Sequence, residues 1–381
     1  MVQIVGGGTP DSSNADYWDG DIDWYTPIEI GERRSVETSA RKITPEGLVH
    51  SSARLLPAGS ILFTSRASIG LMAFISRPSA TNQGFQSLLP SNNVDSNFLY
   101  ALGPYISRYA KKHAAGSTFI EISGSSLAKA PLRIPSLAEQ RRIGEFFSAL
   151  DGLIAAAERQ EDLLKQKKQA YLQLMFPQEG ETEPRLRFAG FSGEWQQKMV
   201  GDLVGKTFGG GTPSTSNSEY WIGRLPWIQS SNLADGQIFR VDVEKHISDI
   251  ALQHSSAQLI PAGSIAVVTH VGVGKLALVP FEYSTSQDFI SLGDLKCDSR
   301  FLSLALQERL RKDLRVVQGS TIKGITKQDL LHKKLTLPKQ RDEQARIATF
   351  LMLFGKTIAQ INERKALLQR MKEAYLQRLF L

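Results

Sequence analysis

The sequence predicts an α+β fold: two tandem, pseudo-symmetric α/β domains separated by two long helices that form an antiparallel coiled coil. Three observations carry this expectation. The chain repeats itself at an offset of 203 or 204 residues, each copy holds short β-branched and apolar runs bounded by turn residues, and each copy closes on an apolar seam of alternating four and three steps.

The repeat is collinear. Gly6-Gly7-Gly8-Thr9-Pro10 recurs as Gly209-Gly210-Gly211-Thr212-Pro213, and Tyr17-Trp18 with Trp24 as Tyr220-Trp221 with Trp227. Leu56-Pro57-Ala58-Gly59-Ser60-Ile61 matches Ile260-Pro261-Ala262-Gly263-Ser264-Ile265, and Gly116-Ser117-Thr118 matches Gly319-Ser320-Thr321. Glu139-Gln140 returns as Glu343-Gln344, and Ala170-Tyr171-Leu172-Gln173 as Ala374-Tyr375-Leu376-Gln377. A period of about 200 residues is a duplicated domain rather than a solenoid repeat. The polar stretch Pro177 to Pro184, with two prolines and a glycine, marks the junction.

Within each copy, Ser60–Thr64, Leu71–Ser76 and Phe85–Leu89, then Ser264–Thr269, Lys275–Pro280 and Asp288–Leu292, read as strands. A helix is expected from about Asn97 to His113 and from about Ser299 to Val317, followed by extended Leu132–Pro135 and Leu335–Pro338.

The seam of the first long helix runs through Ile143, Phe147, Leu150, Ile154, Ala157, Leu164, Tyr171 and Met175, interrupted by Glu161 and Lys168. In the second it runs through Ile347, Leu351, Phe354, Ile358, Ile361, Leu368, Tyr375 and Leu379, interrupted by Lys365 and Lys372. Ser136-Leu137-Ala138-Glu139 supplies a capping box at the first start. A helix from Glu139 to Phe176 would span about 57 Å at about 1.5 Å per residue. Each seam needs a partner, and antiparallel pairing of the two would place one globular domain at each end of a rod. Glu161 is expected to meet Lys365 and help set register, although polar tolerance of a seam explains both residues equally well.

The 381 residues are 41% hydrophobic and 22% charged, enough for two cores and too apolar for disorder. No run approaches the roughly 18 apolar residues of a membrane span, so a soluble, cytoplasmic protein is expected. Cys297 is the single cysteine, and no Cys and His cluster has zinc spacing. The net charge of +7 falls mostly in residues 339–381. Arg33, Arg34, Arg41, Lys42, Arg54, Arg66 and Arg77 face only Glu37 and Glu46 in their stretch, which suggests a basic surface or, equally, ordinary solvated charge.

Catalytic motifs are missing. Gly272-Val273-Gly274-Lys275-Leu276 lacks the first glycine and the Ser or Thr of a phosphate-binding loop, and the six histidines are scattered. A chain without catalysis of its own is expected.

Taken together, the Gly-Gly-Gly-Thr-Pro turn with its Tyr-Trp and Trp, the Pro-Ala-Gly-Ser-Ile strand, the Gly-Ser-Thr turn, the Glu-Gln-x-x-Ile helix start and the closing Ala-Tyr-Leu-Gln helix, all present twice, resemble the specificity subunit of a type I restriction–modification system. The resemblance covers nearly the whole chain. It implies a target recognition domain at 1–135, a conserved helix at 136–177, a linker at 178–190, a second target recognition domain at 191–338 and a second conserved helix at 339–381. It further implies that each domain reads half of a bipartite site on double-stranded DNA while the helices fix the spacer. The implied partners are two modification subunits that use S-adenosylmethionine to methylate adenine, and restriction subunits that use ATP and Mg; no cofactor is expected in this chain. The second copy has a lead-in, Phe191 to Leu203, whose counterpart before Met1 is missing, a departure from the family pattern.

Candidate DNA contacts follow from position. Ser65-Arg66 and Thr269-His270 come after the central strand of each copy, with Lys275 in the next turn. Arg33, Arg34, Arg41 and Lys42, and Arg240 and Lys245, are expected in loops that differ between copies. Lys111, Lys112 and His113, and Arg311, Lys312 and Arg315, end the long helix and suit phosphates; Ser117, Ser320 and Lys323 sit at the Gly-Ser-Thr turns. The four repeated tryptophans suit packing better than base stacking. Competing readings are a structural adaptor whose two domains bind proteins and a stand-alone nuclease, which would need a clustered acidic metal site.

Overall fold

The computed structural model describes residues 2–31, 33–116, 120–178, 180–316 and 324–380, with backbone alone at 315 and 316. The chain divides into two compact units, Met1–Gln160 with Ile361–Leu381, and Glu161–Gln360. The division passes through both long helices, Leu137–Met175 and Arg341–Phe380.

In unit 1 a five-stranded sheet runs in the order Val2–Gly6, Gln86–Pro90, Ile61–Phe63, Met72–Ile75, Ser35–Val36. A three-stranded sheet places Trp18–Tyr25 between Arg41–Ile43 and Ser79–Thr81. Unit 2 repeats the plan with Val204–Gly209, Phe289–Leu295, Ser264–Val268 and Leu276–Val279, and with Leu225–Ile228 between Lys245–Ile247 and Ser284–Thr285. Register repeats too: Gly6 pairs with Gln86, and Gly209 with Ile290, 203 and 204 residues further on.

The glycines of the opening turn are sterically required. A Cβ on Gly7 would stand 2.1 Å from the Asn82 carbonyl oxygen, and one on Gly210 1.7 Å from that of Ser286. The turn can cross the neighbouring strand only without side chains there.

The six strands read from the sequence all form, trimmed or extended by a few residues at their ends. The helix expected over Asn97–His113 is instead two, Ser96–Ala101 and Gly103–His113, whereas Ser299–Val316 is continuous. The cause is local. Pro104 has no N–H to give to the preceding turn and follows a glycine, and the matching positions of the second copy are Gln307 and Glu308.

In each unit the helices pack on one sheet face. Phe98, Leu99, Leu102 and Ile106 meet Ile61, Phe63, Met72 and Leu88 in unit 1; Phe301, Leu302, Ala305 and Leu306 meet Ile265, Val267, Leu276 and Leu292 in unit 2. The lead-in of unit 2 contributes strand Gln196–Met199, antiparallel to Lys334–Leu337, and the buried Trp195. The equivalent residues Leu132–Pro135 of unit 1 belong to no strand.

Ser136 caps the first long helix, its hydroxyl accepting the Glu139 N–H at 3.4 Å. Within unit 1 the helix segments are antiparallel: Phe146 lies edge-on to Tyr375, Asp151 is 2.6 Å from Lys372, and Phe147 meets Phe380. Within unit 2, Tyr171 contacts Phe350 and Phe354. The seam holds at the end of the first helix, where Tyr171 and Met175 pack inward, and departs from the expected positions at the end of the second. In the first helix Leu172 and Phe176 join the expected residues inside, whereas in the second Tyr375 and Leu379 are exposed and Leu376 and Phe380 turn inward. Leu376 and Phe380 reach both the first long helix, at Phe147 and Leu150, and the globular core at Phe98, so the buried stripe shifts to the face that meets both.

Candidate nucleic-acid interface

At the three-stranded sheet of each unit sits a perpendicular tryptophan pair, its outer ring opening the central strand at Trp18 and closing a short 3-10 turn at Trp221. Ring centroids of Trp18 and Trp24 are 5.1 Å apart at 87°, and those of Trp221 and Trp227 5.0 Å apart at 87°. Every indole N–H is spent on a backbone carbonyl near the glycine turn: Trp18 donates to Asp11, Trp24 to Gly8, Trp221 to Ser214 and Trp227 to Gly211. The pair is therefore built into the fold, as its repetition suggested, and only ring faces remain to meet other groups. Beside it, the Thr9 hydroxyl donates to Gln83 Oε1 and the Thr212 hydroxyl to Gln287 Oε1, each at 2.5 Å.

Arg41 and Lys245 do not lie in dissimilar loops. Each opens a short strand and stands directly across from the inner tryptophan, Arg41 opposite Trp24 and Lys245 opposite Trp227. Cross-strand pairing fixes both side chains over the rings. The Arg41 guanidinium is 3.6 Å from the Trp18 centroid, and Lys245 Nζ is 5.7 and 5.8 Å from those of Trp221 and Trp227. In unit 2 a concavity of about 410 Å³ joins Lys245 and the tryptophans to Gln287 and Val271.

Several expected surface cations are engaged internally. Arg34 donates to Asp151 at 2.5 Å and to Asn97 at 2.6 Å while covering Phe74 and Tyr100. Lys42 lies 3.9 Å from Asp23, a buried carboxylate that also takes Arg77 and the Ser39 and Thr38 hydroxyls. Burial pushes the Asp23 carboxyl up, but Arg77, Ser39 and Thr38 outweigh it and hold the group below the usual aspartate value. Arg33 is exposed, and Arg240 is paired with Asp242 at 2.9 Å.

At the central loops Ser65 and Thr269 are buried. The Ser65 hydroxyl donates to Glu121 and the Thr269 hydroxyl to the Asp288 carbonyl, so the side chains presented beyond them are half-buried Arg66 and exposed His270. Lys275 is half-buried in the adjoining turn, where Gly272 and Gly274 take positive φ. Lys111 and Lys112 are exposed at a helix end, His113 bonds the Tyr109 carbonyl, Arg311 pairs with Glu308, and Lys312 reaches Gln178. Ser117, Ser320 and Lys323, and the Arg315 side chain, lie outside the described residues.

Sequence reasoning missed two exposed apolar side chains near these loops, Ile28 at 92% and Val271 at 70% exposure, because an isolated apolar residue in a loop carries no periodic signal. Among the described residues no group of His, Cys, Asp and Glu is placed to hold a metal, and no helix is long and apolar enough to cross a membrane.

Two α/β modules of one plan, each with a cation seated on a tryptophan pair, define a duplicated recognition protein. The chain belongs to the type I restriction modification DNA specificity domain family, whose model matches residues 1–166 and 192–370. It is 26% identical over 403 residues to the type I restriction enzyme MjaIX specificity subunit of Methanocaldococcus jannaschii, covering 99% of this chain and 90% of that protein. The Escherichia coli EcoR124I/EcoR124II specificity subunit is 33% identical over 178 residues, 44% of this chain and 43% of that protein. The fold is shared with the crystal structure of the S subunit of a type I restriction–modification system from M. genitalium, at a TM-score of 0.63 and 13% identity over 98% of this chain and 99% of that one. It is shared also with a chain from a study of assembly and conformational transition of the type I system, at a TM-score of 0.52 and 17% identity over 99% and 97%.

Proposed function

We propose that this chain is the non-catalytic DNA-specificity subunit of a type I restriction–modification complex, each unit reading one half of a bipartite duplex site. The observation that carries the reading is the recurrence, in the same register, of one cation-bearing face in both units. Two such faces on one chain suit two short sequences at a fixed separation. Arg66 and His270, at equivalent loops but chemically different, are the proposed base-edge readers: a guanidinium suits guanine, and an imidazole sets a different preference. Lys111, Lys112, Arg311 and Lys312 are assigned to phosphates.

In this reading the two long helices set the spacer, with Glu161 and Lys365 fixing their register. Two modification subunits bring S-adenosylmethionine and methylate adenine; restriction subunits bring ATP and Mg. The cellular place is the cytoplasm, where the DNA is.

The test is co-expression with the modification subunits followed by selection from a randomised duplex library and by methylome sequencing. A two-part motif with a constant gap, methylated on adenine, is expected. No enriched duplex from the assembled complex would overturn the reading in favour of a protein-binding adaptor.

A further inference from the structure

We infer that Arg41 and Lys245 are a matched pair of phosphate posts, one per half-site, that hold the DNA backbone without reading sequence; the inference rests on the DNA-specificity reading above. Residues that discriminate different half-sites must differ in chemistry or placement between copies, as Arg66 and His270 do. Arg41 and Lys245 do the opposite. They occupy one register position, opposite Trp24 and Trp227, and carry the same charge over the same perpendicular ring pair.

Both side chains are held and still available. Both residues are exposed, and neither makes an ion pair among the described residues, unlike Arg34, Lys42, Arg77 and Arg240 around them. Stacking on Trp18 uses the face of the Arg41 guanidinium and leaves its N–H edge for two phosphodiester oxygens. Lys245, nearly equidistant from two rings, offers a point charge at the matching place. Ring faces limit the wandering of each long side chain, so less conformational entropy is lost when a phosphate is bound.

The experiment uses the complex assembled with its modification subunits. Arg41→Gln, Lys245→Gln and the double variant are each titrated with the duplex that wild type enriches and with a scrambled duplex, over a range of salt. Each single change is expected to weaken both duplexes by the same factor and to lower the slope of log K against log salt by about one, the double variant by about two. The enriched motif should stay the same, and Arg41→Lys should restore the slope. A changed base preference in either half-site, or an unchanged slope in a complex whose melting temperature is that of wild type, would overturn the inference while leaving DNA recognition intact. Failure of the wild-type complex to enrich any duplex would instead remove the reading on which it rests.

Discussion

Phe176 lies nearly flat on Phe301, their centroids 5.3 Å apart and their planes at 22°. One repeat away Phe380 stands against Phe98 at 5.8 Å. Each long helix thus contributes its final turn to a core of Phe and Leu side chains from the other copy's globular part, within the same compact unit. Phe176 is buried beside Trp195, while Phe380 is half-buried. Replacing Phe176 by alanine should destabilise unit 2 by about 3–5 kcal/mol, the range for a buried phenylalanine, and Phe380→Ala should cost unit 1 less. Amide exchange followed separately in unit 2 for the first and in unit 1 for the second, across a urea series, measures the difference; equal costs would contradict the unequal burial.

Acid should act through Asp23. Its carboxyl is held below the ordinary value of 3.8, so it contributes stability above that pH and loses it as pH falls through the lower, folded value. Asp23→Asn should lower stability at neutral pH and flatten the acid limb of the melting curve below about pH 4. A variant melting curve parallel to wild type throughout that limb would exclude the role.

Cys297 should behave as an inert thiol. Burial, with a further push from Asp298, raises it to about 11, so little thiolate forms at neutral pH. Reaction with a disulfide reagent at pH 8 should be slow in the native protein and become rapid on unfolding. Since the folded value is raised, the thiol's contribution to stability is complete below about pH 9 and declines as pH rises toward 11.

The helices offer a mechanical test of the proposed spacer role. Adding one heptad to each, at matching positions near Gln160 and Gln360, should change the preferred gap between half-sites and leave each half-site sequence unaltered. Library selection reads both at once, and an unchanged gap would remove the spacer function.

Much of this architecture was legible because the chain is written twice: strands, long helices and their antiparallel pairing follow from the repeat and the seam. The cation assignments were less legible. Arg34 reads as a free surface charge because Asp151 is 117 residues away, and Arg77 because Asp23 is 54 residues away. Arg41 and Lys245 read as loop residues because three-residue strands leave almost no periodic trace, and only the sheet register reveals them as equivalents. Burial of Ser65 and Thr269 was equally hidden, because a polar residue at a strand end looks the same facing inward or outward.

The passage of the unit division through both helices has a consequence for synthesis. Unit 1 gathers residues 1–160 with 361–381, so its first 160 residues emerge from the ribosome some 200 residues before the segment that packs on Phe98 and Phe147. During that interval the nascent domain presents an uncovered aromatic patch, and a chain stalled before Phe380 would keep it, a ready target for chaperone capture or for association with another incomplete chain.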